Sequence, residues 1–518
     1  MILINSAAYI IPELRSEVGL LPPCFLPFGN KKLVEHQVDI LRKIFKYEEI
    51  IISLPGDYEL NVSEKNIIKK LKLTPIFIPN GFSLGEAVLN ALTSLDIAEN
   101  ETVRLLHGDT LITDIPTESD VIALSIAEDN YSWEFDSQNR VWCGFFSFSS
   151  YKKLIQSLTQ CQCDFINSIK KYAENQNSIK RVEVKGWYDC GHVNTYFKSR
   201  SSITTARAFN DLRIRDRIVR KSGKPYEKIE AESLWFQRIP KKLKKYIPQF
   251  IDSYKDSSGK TVYELEFLPC LPLNEIFVHG KNNDLFWAKV IRRIQFYLEE
   301  SVLEKSKISS SENLKIVEDA IDLYSTKTYD RLTTYNKQIN INIDSPSLYG
   351  SCLLPSLLEI AKECIEYTSK LPVIPAVMHG DLCLSNILYD SRSDDIKVID
   401  PRGLNTKKEF TVYGDQKYDL AKLTHSIIGM YDFIISGDFS IENNEIHFDV
   451  DERVKKIQKK FLAIKLLKDI NNWDIIPLTV LLFLSMPPLH FDKPARQKAM
   501  ILNALRLYKL WKTRNLEA

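Results

Sequence analysis

Between residues 379 and 403 the chain reads His379-Gly-Asp-Leu-Cys-Leu-Ser-Asn386-Ile-Leu-Tyr389, then Ile396-Lys-Val-Ile-Asp400-Pro-Arg-Gly403, and no other stretch limits the fold so tightly. A turn carrying Asp381 and Asn386 enters a short apolar strand, Ile387 to Tyr389. The polar run from Ser391 to Asp395 predicts a hairpin, and Ile396 to Ile399 returns as a second strand that ends at Asp400. Asp381, Asn386 and Asp400 can then converge on one cleft. Phosphoryl transfer from ATP needs this set: a carboxylate beside the attacking hydroxyl, with an amide and a second carboxylate for Mg²⁺ at the phosphates.

With 518 residues the chain is too long for one core. From residue 1 to about 200, apolar runs alternate with amphipathic stretches: Ile2 to Ala8, Leu33 to Phe45, Glu49 to Leu54, Ile67 to Leu71, Pro75 to Ile78. This β-α-β-α-β rhythm predicts an α/β, doubly wound, mostly parallel sheet with ligands at the carboxyl ends of its strands. The polar run Lys198 to Ser202 reads as a linker. Beyond it, strands at Arg213 to Lys221 and Val262 to Phe267 flank a helix near Ile229 to Ile239, and helical periodicity dominates from Trp287 onward. The predicted organisation is an α/β domain over 1–200, a small mixed lobe over 203–285 and a large, mostly helical lobe over 286–518, the last two forming a bilobal α+β domain.

A formal net charge of +2 gives no reason to expect nucleic acid or an anionic membrane as partner. The apolar stretch Ile475 to Leu489 contains Pro477, Pro487 and Pro488 and falls short of the roughly 20 residues of a membrane span, so it predicts a buried helix. The opening residues lack the pattern of a secretory leader. Nine cysteines without paired spacing read as reduced core residues. A cytoplasmic location is expected.

The 379–403 motifs resemble the aminoglycoside and choline kinase-like phosphotransferase family, over residues 203 to 510. The resemblance implies Asp381 as catalytic base, Asn386 and Asp400 as metal ligands, and His379 as a brace of the catalytic loop. Asp419, in Gly414-Asp-Gln-Lys-Tyr-Asp-Leu-Ala421, resembles the family's downstream aspartate that steadies that loop. A kinase small lobe also supplies a lysine for the α- and β-phosphates and a helix glutamate to hold it. Lys221 ends the strand Arg217-Ile-Val-Arg-Lys221 in the V-x-K manner, with Glu232 as its partner and Glu230 as competitor. Glu266-Phe-Leu268 reads as the hinge whose backbone would hold the base. The turn Phe209-Asn-Asp211 would have to cover the phosphates in place of a glycine-rich loop. The implied activity is Mg²⁺-dependent transfer from ATP, or GTP, to a hydroxyl of a small metabolite such as a sugar or amino alcohol. Trp287, Tyr413 and Trp473 are aromatic candidates for enclosing a quaternary amine.

The N-terminal segment resembles sugar-phosphate nucleotidyltransferases, through Lys31-Lys-Leu-Val-Glu-His36, Ser83-Leu-Gly-Glu-Ala-Val88, Leu105-Leu-His-Gly-Asp-Thr110, Gly144-Phe-Phe-Ser-Phe148 and Trp187-Tyr-Asp-Cys-Gly-His192. The resemblance implies that Asp109 and Asp189 hold Mg²⁺ for attack on a nucleoside triphosphate, CTP or UTP. The family's glycine-rich opening loop is replaced by Ala7-Ala-Tyr-Ile-Ile-Pro-Glu-Leu-Arg15-Ser-Glu-Val-Gly-Leu-Leu-Pro-Pro-Cys24, with Cys24 near the place of a lysine. A noncatalytic module that binds a nucleotide sugar or a partner is therefore the alternative. Kinase and nucleotidyltransferase as consecutive steps would suit the synthesis of bacterial capsule or cell-surface polysaccharide precursors.

Overall fold

The computed structural model describes residues 1–99, 101–127, 129, 131, 133–176, 179–203, 210–303, 308–339 and 341–514. They form two compact units: residues 1–203 together with His279–Asn282, and the remainder of the described chain.

In the first unit, β1 (Ile2–Asn5), β2 (Ile50–Pro55), β3 (Thr74–Ile78) and β4 (Val103–His107) lie parallel in the order β3-β2-β1-β4. The short β5 (Thr110–Ile112) comes next, and β6 (Val121–Ser125), β7 (Val141–Phe148) and β8 (Lys180–Glu183) extend the sheet beyond β4 in the order β7-β6-β8, with β7 antiparallel to both its neighbours. The sheet is thus mixed, with its parallel half where the β-α-β rhythm lies. β2 is buried along its whole length, as an interior parallel strand covered on both faces must be. The helices α1 (Pro12–Val18), α2 (Leu33–Ile44), α3 (Val62–Leu71), α4 (Leu84–Thr93), α5 (Tyr151–Gln160) and α6 (Phe165–Asn175) occupy the crossovers and the connection after β7. Asn61 with Glu64 and Ser83 with Glu86 form reciprocal capping boxes that start α3 and α4. β9 (Trp187–Asp189) pairs with β5 and leads into α7 (Val193–Ile203). The run Lys198–Ser202 is therefore not a linker. Buried Tyr196, Phe197 and Ser199 anchor the helix, and Arg200 donates to the carbonyl of Pro27 at 2.9 Å.

The second unit begins with a four-stranded antiparallel sheet ordered β10-β11-β13-β12: β10 (Asn210–Arg215), β11 (Ile218–Gly223), β12 (Phe250–Lys255) and β13 (Thr261–Glu266), with α8 (Tyr226–Arg238) packed on β11 and β13. The predicted single strand Arg213 to Lys221 is in fact a hairpin, turning at Asp216 and Arg217, both at positive φ. β14 (Leu271–Pro272) then leads into the helices α9 (Leu273–His279), α10 (Asp284–Ser301), α11 (Ser310–Tyr324) and α12 (Thr326–Ile339). The hairpin β15 (Pro346–Tyr349) and β16 (Cys352–Ser356) precedes α13 (Leu357–Lys370), and β17 (Pro375–Val377) precedes the 379–386 loop. β18 (Ile387–Asp390) and β19 (Asp395–Val398) form the hairpin after that loop, with β14 on the outer edge of β18. β20 (Tyr413–Asp415) pairs with β17, then α14 (Lys417–Ile427), α15 (Tyr431–Ser436), α16 (Glu452–Ala463), α17 (Ile476–Leu484) and α18 (Pro494–Thr513) complete the unit. The apolar stretch around Ile475 is α17, buried throughout, and no helix among the described residues is long and apolar enough to cross a membrane. The nine cysteines are free thiols.

Candidate functional site

In the second unit the loop between β17 and β18 is built around His379. Its Nδ1 accepts from the Asp381 amide at 3.2 Å, which leaves Nε2 to donate to the Ile399 carbonyl at 2.9 Å. Burial lowers the imidazole pKa to about 4, so the ring is neutral and its tautomer is fixed by these two bonds. Asp419, on the first turn of α14, accepts from the amides of His379 and Gly380 at 2.8 and 2.7 Å. Gly380 has φ 78°, and a Cβ there would lie 2.7 Å from Cβ of Arg402, so both conformation and space call for glycine.

Asn386 directs its amide nitrogen at Asp381, donating to the backbone oxygen at 2.9 Å and to Oδ2 at 3.2 Å. The Ile399 amide donates to the Asn386 carbonyl at 3.0 Å, which ties the loop to the strand end carrying Asp400. Asp381, Asn386 and Asp400 are thus brought together on one loop-hairpin.

The small sheet contributes to the same place. Lys221, 2% exposed on β11, bonds Glu232 Oε2 at 2.7 Å and Asp400 Oδ1 at 2.9 Å, and Tyr263 donates to Glu232 Oε2 at 2.8 Å. Burial alone would lower the Lys221 pKa, but Asp400 and Glu232 outweigh it and raise it. Glu230 faces away and pairs with the exposed Lys255 at 3.4 Å. Glu266 ends β13, its amide donating to the Gln249 carbonyl at 2.9 Å, and Leu268 lies just beyond, accepting from the Cys270 amide at 2.8 Å. Phe209 lies outside the described residues. Trp287 is fully buried against the rings of Phe277 and Phe286, so it does not join Tyr413 and Trp473 in a box.

Lys422 is a site residue the sequence reading missed. Its Nζ lies 2.9 Å from Asp381 Oδ1. Burial pushes the Asp381 carboxyl up, but Lys422 overrides it and holds the group well below the usual carboxylate range. Lys422 follows Asp419 by three positions on α14, so both lie on one helix face, the one signal the sequence offered.

A hard-oxygen set suits Mg²⁺, which keeps few protein ligands and takes the rest from phosphates and water. The residues present fit it: Asp400 supplies a carboxylate, and the amide nitrogen of Asn386 is turned to Asp381, while its amide oxygen, which accepts from the Ser385 hydroxyl at 3.4 Å, keeps a second lone pair for a cation. Among the described residues no cluster of three or more His, Cys, Asp or Glu side chains forms a closed metal cage.

In the first unit a cleft of about 260 Å³ opens beyond the ends of β1 and β4, lined by Asn5, Ser6, Ser83, His107 and Asp109 among others. The strand order reverses between β1 and β4, the place where open α/β sheets bind ligands. Asp109 and Asp189 flank Gly191: a Cβ there would lie 2.6 Å from Asp109 Oδ2 and 3.5 Å from Asp189 Oδ1. Burial, then repulsion from Asp189, raise the Asp109 pKa to about 6. Asp189 Oδ2 is engaged by His192 Nδ1 at 2.9 Å and by the Thr195 hydroxyl. The raised pKa of Asp109 is what a cation would relieve, and His192 already answers the charge of Asp189. The opening stretch forms helix α1 in place of a phosphate loop, Tyr9 donates to Asp57 at 2.6 Å, and Arg15 is exposed. The buried Cys24 amide donates to Ser6 Oγ at 3.0 Å. Lys32, in the first matched segment, is buried in an ion pair with Glu64 at 3.0 Å.

No family model matches this chain, and no curated protein matches it. Solved structures similar to it include a nucleoside-diphosphate-sugar pyrophosphorylase from Vibrio cholerae RC9, at 12% identity over 39% of this chain and 99% of that one, with a TM-score of 0.32. An inositol-1-phosphate CTP transferase from T. maritima matches at 16% identity over 40% and 97%, with a TM-score of 0.30. The GDP complex of aminoglycoside 2'-phosphotransferase-IIIa matches at 13% identity over 60% and 91%, with a TM-score of 0.33.

Proposed function

We propose that the second unit is a small-molecule kinase that transfers the terminal phosphoryl group of ATP to a hydroxyl of a metabolite. The carrying observation is that Asp381, Asn386 and Asp400 meet on one loop-hairpin while Lys221, braced by Glu232, reaches Asp400. In this reading Asp381, kept ionised by Lys422, orients the acceptor hydroxyl and takes its proton as the oxygen attacks the γ-phosphorus. Lys221 holds the α- and β-phosphates, and backbone groups at Glu266 and Leu268 meet the base. Asn386 and Asp400 would hold Mg²⁺, which when bound neutralises charge on the phosphates. His379 and Asp419 position the loop without touching substrate. Mass spectrometry of a metabolite library incubated with the protein, ATP and Mg²⁺ tests this. Phosphorylated products are expected with the wild type and not with Asp381→Asn, and equal yields from both would refute the assignment.

For the first unit we propose binding of a nucleoside triphosphate such as CTP or UTP, or of a nucleotide sugar, at the cleft beside Asp109. Helix α1 and Tyr9, where a glycine-rich loop would crowd backbone amides around phosphates, favour binding without nucleotidyl transfer. Placement in capsule or surface-polysaccharide precursor synthesis belongs to the same proposal. Release of pyrophosphate from CTP or UTP in the presence of sugar phosphates would establish transfer, whereas ligand-raised melting without release supports a binding module.

A further inference from the structure

The side of Asp381 formed by α12 and α14 is strongly cationic. Lys422 pairs with Asp381, and Lys327 donates to the hydroxyl of buried Tyr418 at 2.7 Å. Arg331 stands one turn on from Lys327 along α12, its Nη1 3.5 Å from the Ser485 carbonyl. Arg402 packs its side chain against Gly380, and its amide donates to the His379 carbonyl at 2.8 Å. All four are half-buried. Among the described residues, Asp381 is the one carboxylate within 4 Å of any of them. Acids are not scarce nearby: Lys315 on α11 has Glu409 at 3.0 Å, and Lys417 on α14 has Asp415 at 2.5 Å. Burial, with Arg402 and Lys422 adding to it, lowers the Lys327 pKa to about 8. Against its own burial, Tyr418 is also lowered to about 8 by Lys327, Lys422 and Arg402. With Asp381 as the one carboxylate paired to them and the Tyr418 hydroxyl as a hydrogen-bond partner, these four cations carry a surplus of positive charge among the described residues.

Resting on the kinase reading, we infer that the acceptor is itself a phosphate monoester, its phosphate held by Lys327, Arg331, Arg402 and Lys422 while its free hydroxyl meets Asp381. Four cations against one carboxylate match the two negative charges of a phosphate monoester better than the single charge of a carboxylic acid. A neutral or cationic acceptor would leave these half-buried cations uncompensated. The reaction is balanced: the acceptor oxygen forms a bond to the γ-phosphorus, the bond from that phosphorus to the β,γ-bridging oxygen breaks, ADP departs, and the hydroxyl proton passes to Asp381. The product carries two phosphoryl groups.

Calorimetric titration of inorganic phosphate into the full chain saturated with Mg·ADP tests the inference without turnover. Phosphate should bind, acetate should bind at least tenfold more weakly, and the double variant Lys327→Gln, Arg331→Gln should weaken phosphate at least tenfold. Arg331→Lys, which keeps the charge, should retain binding if the double variant proves unstable. Asp381→Asn, which removes the one opposing carboxylate, should tighten phosphate. No phosphate binding, exclusion of phosphate by Mg·ADP, equal binding of acetate, or indifference to the double variant would each overturn it. If phosphate binds as described but Asp381→Asn keeps full turnover, the kinase assignment fails and the anion site stands.

Discussion

In the second unit the two aspartates that face the cleft each have a lysine of their own, Asp400 with Lys221 and Asp381 with Lys422, while Asp419 is held by backbone amides. In the first unit Asp109 and Asp189 flank one glycine, and the ring that answers them, His192, bonds Asp189. The consequence is visible in the two carboxyls closest to chemistry. Asp381 is held well below the usual carboxylate range, whereas Asp109 is raised to about 6. A site with fixed counter-charges keeps its carboxylates ionised without an added ligand. One whose acids are mutually repelled and buried depends on an added cation or on protonation.

The largest effect expected from this contrast is catalytic. Asp381→Asn should lower phosphoryl transfer by about 10² to 10⁴-fold, the usual worth of a positioned base, and shift the nucleotide dissociation constant little. Steady-state kinetics beside nucleotide titration would separate the two.

Next comes the buried ion pair of the small sheet. Glu232 is fully buried, and Glu232→Ala leaves Lys221 with Asp400 as its remaining partner. The loss should be about 3 kcal/mol in the urea transition of this unit, with Glu232→Gln losing less.

The smallest effect concerns the first unit and has the opposite sign. A carboxyl whose pKa is raised by folding favours the protonated native state, so stability falls as pH climbs from the ordinary value near 4 to about 6. Asp109→Asn should therefore raise the melting temperature of this unit at pH 7 and change it little at pH 4. A melting temperature unaltered at pH 7 would mean that Asp109 carries no burial penalty, and the contrast between the units would lose its basis.

Much of the candidate site in the second unit was legible because its residues are close in sequence. Asp381, Asn386 and Asp400 lie on one loop and one hairpin, and strand period and turn chemistry fix such a segment without long-range information. Lys221 was legible as a strand-end lysine, but Glu232 and Glu230 lie two residues apart on α8, and the choice depended on which way the helix was rotated on its sheet. Packing against Tyr263 decided it. Lys422, Lys327 and Arg331 were missed because helical lysines and arginines ordinarily face water, and their convergence is set by how α12 and α14 each pack on α17, joined by the bond from Lys327 to Tyr418. The parallel half of the first sheet was legible in its apolar runs, while the reversal at β7 was not, since an alternating strand has no preferred direction. The misread linker at Lys198–Ser202 shows a polar run carried in a helix by buried residues before and within it.

Calorimetric titration of ATP analogues with and without Mg²⁺ into wild type, Asp400→Ala and Asn386→Ala tests most directly whether these side chains form one nucleotide site. Mg²⁺ should tighten binding in the wild type, and both variants should lose most of that gain, by roughly 10 to 100-fold. A magnesium-dependent gain that survives both substitutions would contradict it.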